Sequence, residues 1–163
     1  MKRIFVIFLI FLPVYLILSL YFLDKFTFLC PITYERDIFI RNDNYGSGFF
    51  AASRGGGSRL HEGIDLSGEI GTPVLAARSG IAVAADHSRG MGNYIVIRHP
   101  GGTITIYGHL SKIYIARGQL VRQGDIIGAV GKTGNANYPN MLPHLHFEVR
   151  KNGVPQDPMQ YLQ

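Results

Sequence analysis

One cysteine, Cys30, occurs in the 163 residues. A lone thiol excludes an intramolecular disulfide and a structural zinc closed by cysteines. Past residue 23 the chain lacks any long apolar repeat at 3.6-residue spacing, so helices are not expected to build its body. No nucleic-acid-binding motif is present and the basic residues are scattered, so nucleic acid is not an expected partner. A phosphate-binding loop is missing as well. Gly131-Lys132-Thr133 resembles the end of one, but the glycine required five positions before Gly131 is Ile126. The length admits one domain with an appendage, not two full domains.

What is present is a constellation of metal-binding residue types. His144 and His146 stand one residue apart in Pro-His-Leu-His-Phe-Glu, far downstream of His61 and Asp65 in His-Glu-Gly-Ile-Asp. On a strand, side chains alternate faces, so His144 and His146 share one face while Leu145 and Phe147 take the other. A catalytic zinc keeps three protein ligands and leaves one position open. His61, Asp65 and one of the paired histidines would supply those three. His87 and His99 are expected to be a surface or a satisfied core histidine.

His61-Glu62-Gly63-Ile64-Asp65 also invites comparison with the helical zinc-protease signature. That signature needs histidine where Asp65 stands, and it needs a helix. Gly63 disfavours a helix by about 1 kcal/mol relative to alanine. In a straight strand the two side chains would stand roughly 13 Å apart. They reach one ion only if the chain bends, which Gly63 permits. Glu62 then reads as a solvated side chain rather than a base.

From about Gly46 onward the chain resembles the lysostaphin/LytM-type zinc metallopeptidases, which cut peptide bonds in bacterial peptidoglycan. The resemblance rests on residues 52–65, Gly71-Thr-Pro-Val74, Tyr107-Gly-His109-Leu-Ser, Gly124-Asp-Ile-Ile-Gly128, Gly131-Lys-Thr-Gly134-Asn and Pro143-His-Leu-His-Phe-Glu148. It implies that His61, Asp65 and His146 bind Zn2+, with His109 and His144 as the catalytic histidines. In such chemistry zinc activates water and polarises the scissile carbonyl. A histidine with a pKa near 6.5 can take a proton from the water and return it to the leaving amine. A second can hold the developing oxyanion. The sequence does not assign which of His109 and His144 does which. The chain departs from the family at Asn135–Leu142, which is longer than the usual link and contains Tyr138 and Met141. Beside the metal, such a loop is either a place for substrate contacts or a tolerated surface insertion. The bond cleaved is therefore left open.

The implied alternatives are an endopeptidase and a non-catalytic wall-binding scaffold or activator of other hydrolases on the same fold. Relatives of the second kind typically lack site histidines, and this chain keeps all five site residues. Peptidoglycan peptides are the expected partner; oligomeric state is not legible.

Ile4–Leu23 is a run of twenty residues without charge. As a helix it would span roughly 30 Å, a bilayer core. A cleaved signal has a shorter core and small residues at the cut, which Leu20-Tyr-Phe-Leu-Asp-Lys-Phe does not offer. An uncleaved transmembrane anchor is expected, with residues 1–3 as its cytoplasmic flank and 24–45 as a linker or irregular lead-in. Residues 46–163 then form the peptidase domain outside the cytoplasmic membrane. Some relatives carry a preceding segment that plugs the site, a role open here to Asn42 or Asn44. Removing Lys2 and Arg3 from the formal charge of +5 leaves +3 for residues 24–163, which suits an anionic envelope surface.

The domain itself reads as all-β. Residues 81–85, 94–98, 103–107, 126–130 and 144–149 are short and rich in β-branched or aromatic residues, with Gly, Pro, Asn or Asp between them. His99-Pro-Gly-Gly102 and Asn152-Gly153 read as turns. Antiparallel strands in a sandwich or partial barrel are expected, with the metal in a groove across one sheet.

Overall fold

The computed structural model describes residues 28–162. In chain order its strands are β1 (Asn42–Asp43), β2 (Gly46–Ser47), β3 (Ser53–Arg54), β4 (Arg59–Leu60), β5 (Ile64–Ser67), β6 (Pro73–Leu75) and β7 (Gly80–Ser88). There follow β8 (Gly92–Arg98), β9 (Thr103–Leu110), β10 (Lys112–Ile113), β11 (Leu120–Val121), β12 (Ile126–Ala129), β13 (His144–Lys151) and β14 (Val154–Gln156). Among the described residues helical structure is confined to three-residue 3-10 turns. The all-β, antiparallel expectation therefore holds. The anchor expected at 4–23 lies outside the described residues.

The main sheet runs β11-β7-β8-β9-β13-β14, with β5 also paired to β13. A smaller sheet runs β10-β12-β6, and β1-β2 and β3-β4 form two short ribbons. The turns follow their residues. Gly101 and Gly102 close the β8–β9 hairpin at φ of 83° and 80°. Asn152 and Gly153 join β13 to β14 at φ of 52° and 80°. Both pairs occupy the left-handed region, as a tight hairpin requires.

One core lies between the two sheets. Val74 and Ile127 of the small sheet cluster there with Ile95, Tyr107, Leu145, Phe147 and Val149 of the large one. Burying each of the large apolar side chains of β13 contributes about 1.5–3 kcal/mol. A register slip of one residue would turn them out of the core. The same constraint sends His144, His146 and Glu148 to the opposite face, where the site lies. β9 pairs along one edge of β13; β5 and β14 share the other.

Residues 28–41 are irregular and lead into β1, but the described lead-in is packed rather than free. Phe28 and Ile32 are buried in the core. Ile40 bridges to Leu66, the Arg41 amide donates to the Asp65 carbonyl, and the Ser67 amide donates to the Phe39 carbonyl. With β13 on one side of β5, this segment satisfies the backbone groups on its other side. Asn42 and Asn44 are exposed and do not line the cleft, so neither occupies the place of a plug.

Candidate metal centre

Asp65 on β5 and His146 on β13 are register partners, and His144 faces Ser67 two residues away. His61 lies just ahead of β5, held by amide–carbonyl bonds with Ala51 and Ala52. Gly63, between His61 and Asp65, has a specific duty. A Cβ there would stand 2.3 Å from the Phe147 carbonyl oxygen, so only glycine lets this turn lie against β13. The chain bends at Glu62–Gly63, as the sequence suggested, and the close approach to Phe147 is a second reason for glycine there.

The three expected ligands meet. His61 Nε2 and His146 Nδ1 are 3.0 Å apart, and they lie 3.0 and 2.9 Å from Asp65 Oδ1. The outer nitrogens are already engaged. His61 Nδ1 lies 2.9 Å from the Phe49 carbonyl, which can only accept, so Nδ1 carries the proton. His146 Nε2 lies 3.0 Å from Glu148 Oε1 and donates to that carboxylate. Two imidazole nitrogens and a carboxylate oxygen are left converging on one point. Three lone pairs so placed repel unless a proton or a cation joins them, and ring N–H groups tied to a carbonyl and a carboxylate are the usual surroundings of ligating histidines. A tetrahedral zinc holds ligands roughly 3.3 Å apart, close to these separations. The residues fit a zinc ion.

Around this triangle lies a ring of charge. Asp65 Oδ2 accepts from Arg41 at 2.9 Å and Arg54 at 3.2 Å. Glu148, 1% exposed, receives Arg150 Nε at 2.6 Å on its second oxygen. Glu62 is exposed, as expected of a solvated side chain, and Arg150 also pairs with it at 2.5 Å. Burial pushes the Asp65 carboxyl up, but the imidazoles of His146 and His61 beside it outweigh this and hold it below the usual carboxylate range. Burial pulls His146 down; its bonds to Asp65 and Glu148 more than reverse this and raise it to about 9 in the metal-free protein.

His109 and His144 flank the triangle, their ring centroids 5.0 Å apart. His109 Nδ1 donates to the Thr133 carbonyl at 3.0 Å, and His144 Nδ1 to the Leu142 carbonyl at 2.7 Å. Both rings thus keep a free Nε2. His144 Nε2 lies 3.9 Å from Asp65 Oδ1. Burial, then the charge of His146 and His144, lowers His109 to about 3. Burial also lowers His144. Both are neutral at pH 7. His109 adopts φ of 63°, a left-handed conformation rare for a residue with a side chain.

All five expected residues line one cleft of about 490 Å³. His87 is exposed beside Asn93, and His99 is buried between the Ser79 carbonyl and Thr105; both are away from the centre. The expectations omitted Arg41, Arg54 and Glu148. Glu148 carried a signal, since it shares the alternation that aligned His144 with His146. Arg41 carried none.

The sequence profile described as "Peptidase family M23" matches residues 59–158. The chain is 45% identical over 101 residues to the DD-carboxypeptidase/endopeptidase Mpg of Neisseria meningitidis serogroup B, covering 62% of this chain and 22% of that protein. It is 40% identical over 99 residues to the peptidoglycan DD-endopeptidase ShyA of Vibrio cholerae, covering 61% of this chain and 22% of that protein. The chain thus spans about a fifth of the length of these relatives. A crystal structure of a zinc containing peptidase from Vibrio cholerae superposes with a TM-score of 0.67 at 34% identity, over 82% of this chain and 39% of that one.

Proposed function

The chain belongs to peptidase family M23, and on that footing we propose that it is a zinc metalloendopeptidase cleaving peptide bonds of bacterial peptidoglycan, in the stem or the cross-bridge. The observation that carries this reading is the convergence of His61 Nε2, Asp65 Oδ1 and His146 Nδ1 beside two neutral histidines in an open cleft. The name of ShyA, a peptidoglycan DD-endopeptidase, supports the substrate class, and that of Mpg supports an endopeptidase.

His61, Asp65 and His146 would hold the ion. When bound, zinc supplies a Lewis acid that polarises a carbonyl and makes water acidic enough to attack near neutral pH. The remaining work falls to the chain. His109 and His144 present unprotonated Nε2 atoms toward the cleft, oriented by the Thr133 and Leu142 carbonyls. One accepts a proton from the attacking water and passes it to the leaving amine. The other can take a proton from solvent in the open cleft as negative charge develops beside its Nε2, and then donates to that oxyanion. Arg41, Arg54 and Glu148 fix the ligands, and the core side of β13 fixes its histidines.

We place this domain on the outer side of the cytoplasmic membrane, tethered by residues 4–23. The uncharged run, its Lys2-Arg3 flank and the substrate's location support that placement.

Chelation tests the proposal. The full chain, stripped of metal, should not cleave a cross-linked peptidoglycan peptide, and stoichiometric zinc should restore cleavage. Equal cleavage before and after stripping would reject a zinc mechanism.

A further inference from the structure

The lead-in makes a contact that a linker has no reason to make. Arg41 is 3% exposed, and its guanidinium spans two carboxylates: one amino group bonds Asp43 Oδ1, the other Asp65 Oδ2 at 2.9 Å. Its backbone is fixed at the same place, with Arg41 N–H on the Asp65 carbonyl and Gly48 N–H on the Arg41 carbonyl. A buried guanidinium is costly unless its partners are well placed. Here one partner, Asp65, belongs to the centre, and the other, Asp43, leads to the Leu142 backbone.

Asp43 continues the path. Its Oδ1 also receives the Tyr45 amide at 2.8 Å, and its Oδ2 receives the Leu142 amide at 3.0 Å. Leu142 is the residue whose carbonyl accepts from His144 Nδ1. One connected path therefore runs from the ligand Asp65 through Arg41 and Asp43 to the Leu142 backbone and then to His144. Beside it, Tyr45 stacks on Tyr138 of the same 135–142 loop, ring centroids 5.4 Å apart. The exposed segment 137–140 is otherwise held by turn bonds of its own and by Lys132 Nζ on the Pro139 carbonyl.

We propose that Arg41 and Asp43, which precede the family match, are positioning residues of the active site. Their ion pair ties the metal ligand Asp65 to the Leu142 peptide that orients His144. The lead-in thus organises the centre instead of blocking it, and the insertion at 135–142 is held by it in the working position. The kinetic consequence rests on the peptidase reading; the structural one does not.

The test uses the full chain, metal-free and zinc-loaded. Long-range proton–nitrogen correlation spectra of the metal-free chain report which nitrogen of His144 carries the proton. The unmodified chain should show Nδ1–H. Asp43→Ala should mix the two tautomers and lower kcat roughly 10–100-fold, the usual effect of losing a group that orients a ligand or base, with little change in KM. Asp43→Asn can still accept from the Leu142 amide but turns its NH2 toward Arg41 and the Tyr45 amide, so it should hold the His144 tautomer better than Asp43→Ala while losing the ion pair to Arg41. Arg41→Lys keeps the charge but cannot span two carboxylates, and should weaken zinc binding roughly 10–100-fold. If Asp43→Ala does not fold, Asp43→Asn and Arg41→Lys carry the test: tighter retention of the His144 tautomer in the first than of zinc affinity in the second is expected. A lower melting temperature alone, with His144 tautomer, kcat and zinc affinity unchanged, would overturn the proposal. An unmodified chain inactive on peptidoglycan would instead remove the peptidase reading, while the tautomer and zinc measurements still decide the bridge.

Discussion

Asp65 and His146 face each other across β5 and β13, Oδ1 to Nδ1 at 2.9 Å. The pairing is a consequence of register. Phe147 and Leu145 lock β13 into the core, Ile64 and Leu66 lock β5, and the polar residues between them are brought together on the far face. A metal centre on such a support has little freedom to distort.

Ligand substitutions follow from this. The unmodified chain should bind one zinc ion, and His146→Ala should abolish that binding. Glu148→Gln should keep the site but weaken it roughly 10–100-fold, because Glu148 orients His146. Competition with a coloured chelator measures both.

Zinc affinity should depend on pH with a definite sign. His146 in the metal-free protein is raised to about 9, so below that value its Nδ1 holds a proton that the ion must displace. The association constant should rise about tenfold per pH unit between pH 6 and 8 from this group alone. Titration at several pH values checks it. A flat profile would mean that His146 is already unprotonated.

His109→Ala and His144→Ala should each retain zinc yet lower the rate by at least about 100-fold, the lower range for loss of acid–base catalysis. Metal content and turnover, measured on the same samples, separate these variants from His146→Ala.

Gly63→Ala should be destabilising by about 1–3 kcal/mol, since its Cβ would meet the Phe147 carbonyl at 2.3 Å and Glu148 Cγ at 2.9 Å. Gly90→Ala meets nothing within 4 Å and should change stability by less than about 0.5 kcal/mol. Urea unfolding of the metal-free chains compares them.

Much of this site was legible before the structure, because strand alternation is short-range: His144 and His146 had to share a face once 144–149 was read as a strand. The same reasoning reached Glu148 but was not extended to it. The carbonyls of Phe49, Thr133 and Leu142, which set the three imidazole tautomers, leave no trace in residue identity. The bend at Gly63 was legible, but its close approach to Phe147, distant in sequence, was not. The lead-in was read as a linker because it has no periodicity. Its contribution to the site is a few side chains, Arg41, Asp43 and Tyr45, and one added edge to β5, and none of these has a pattern to detect.

The most direct measurement is the mass of fragments released from purified peptidoglycan by the zinc-loaded full chain, with His144→Ala alongside. The account predicts fragments with new amino and carboxyl ends within the stem or cross-bridge peptides, made by the unmodified chain and not by the variant. Intact peptides throughout, or the same fragments from both proteins, would contradict it.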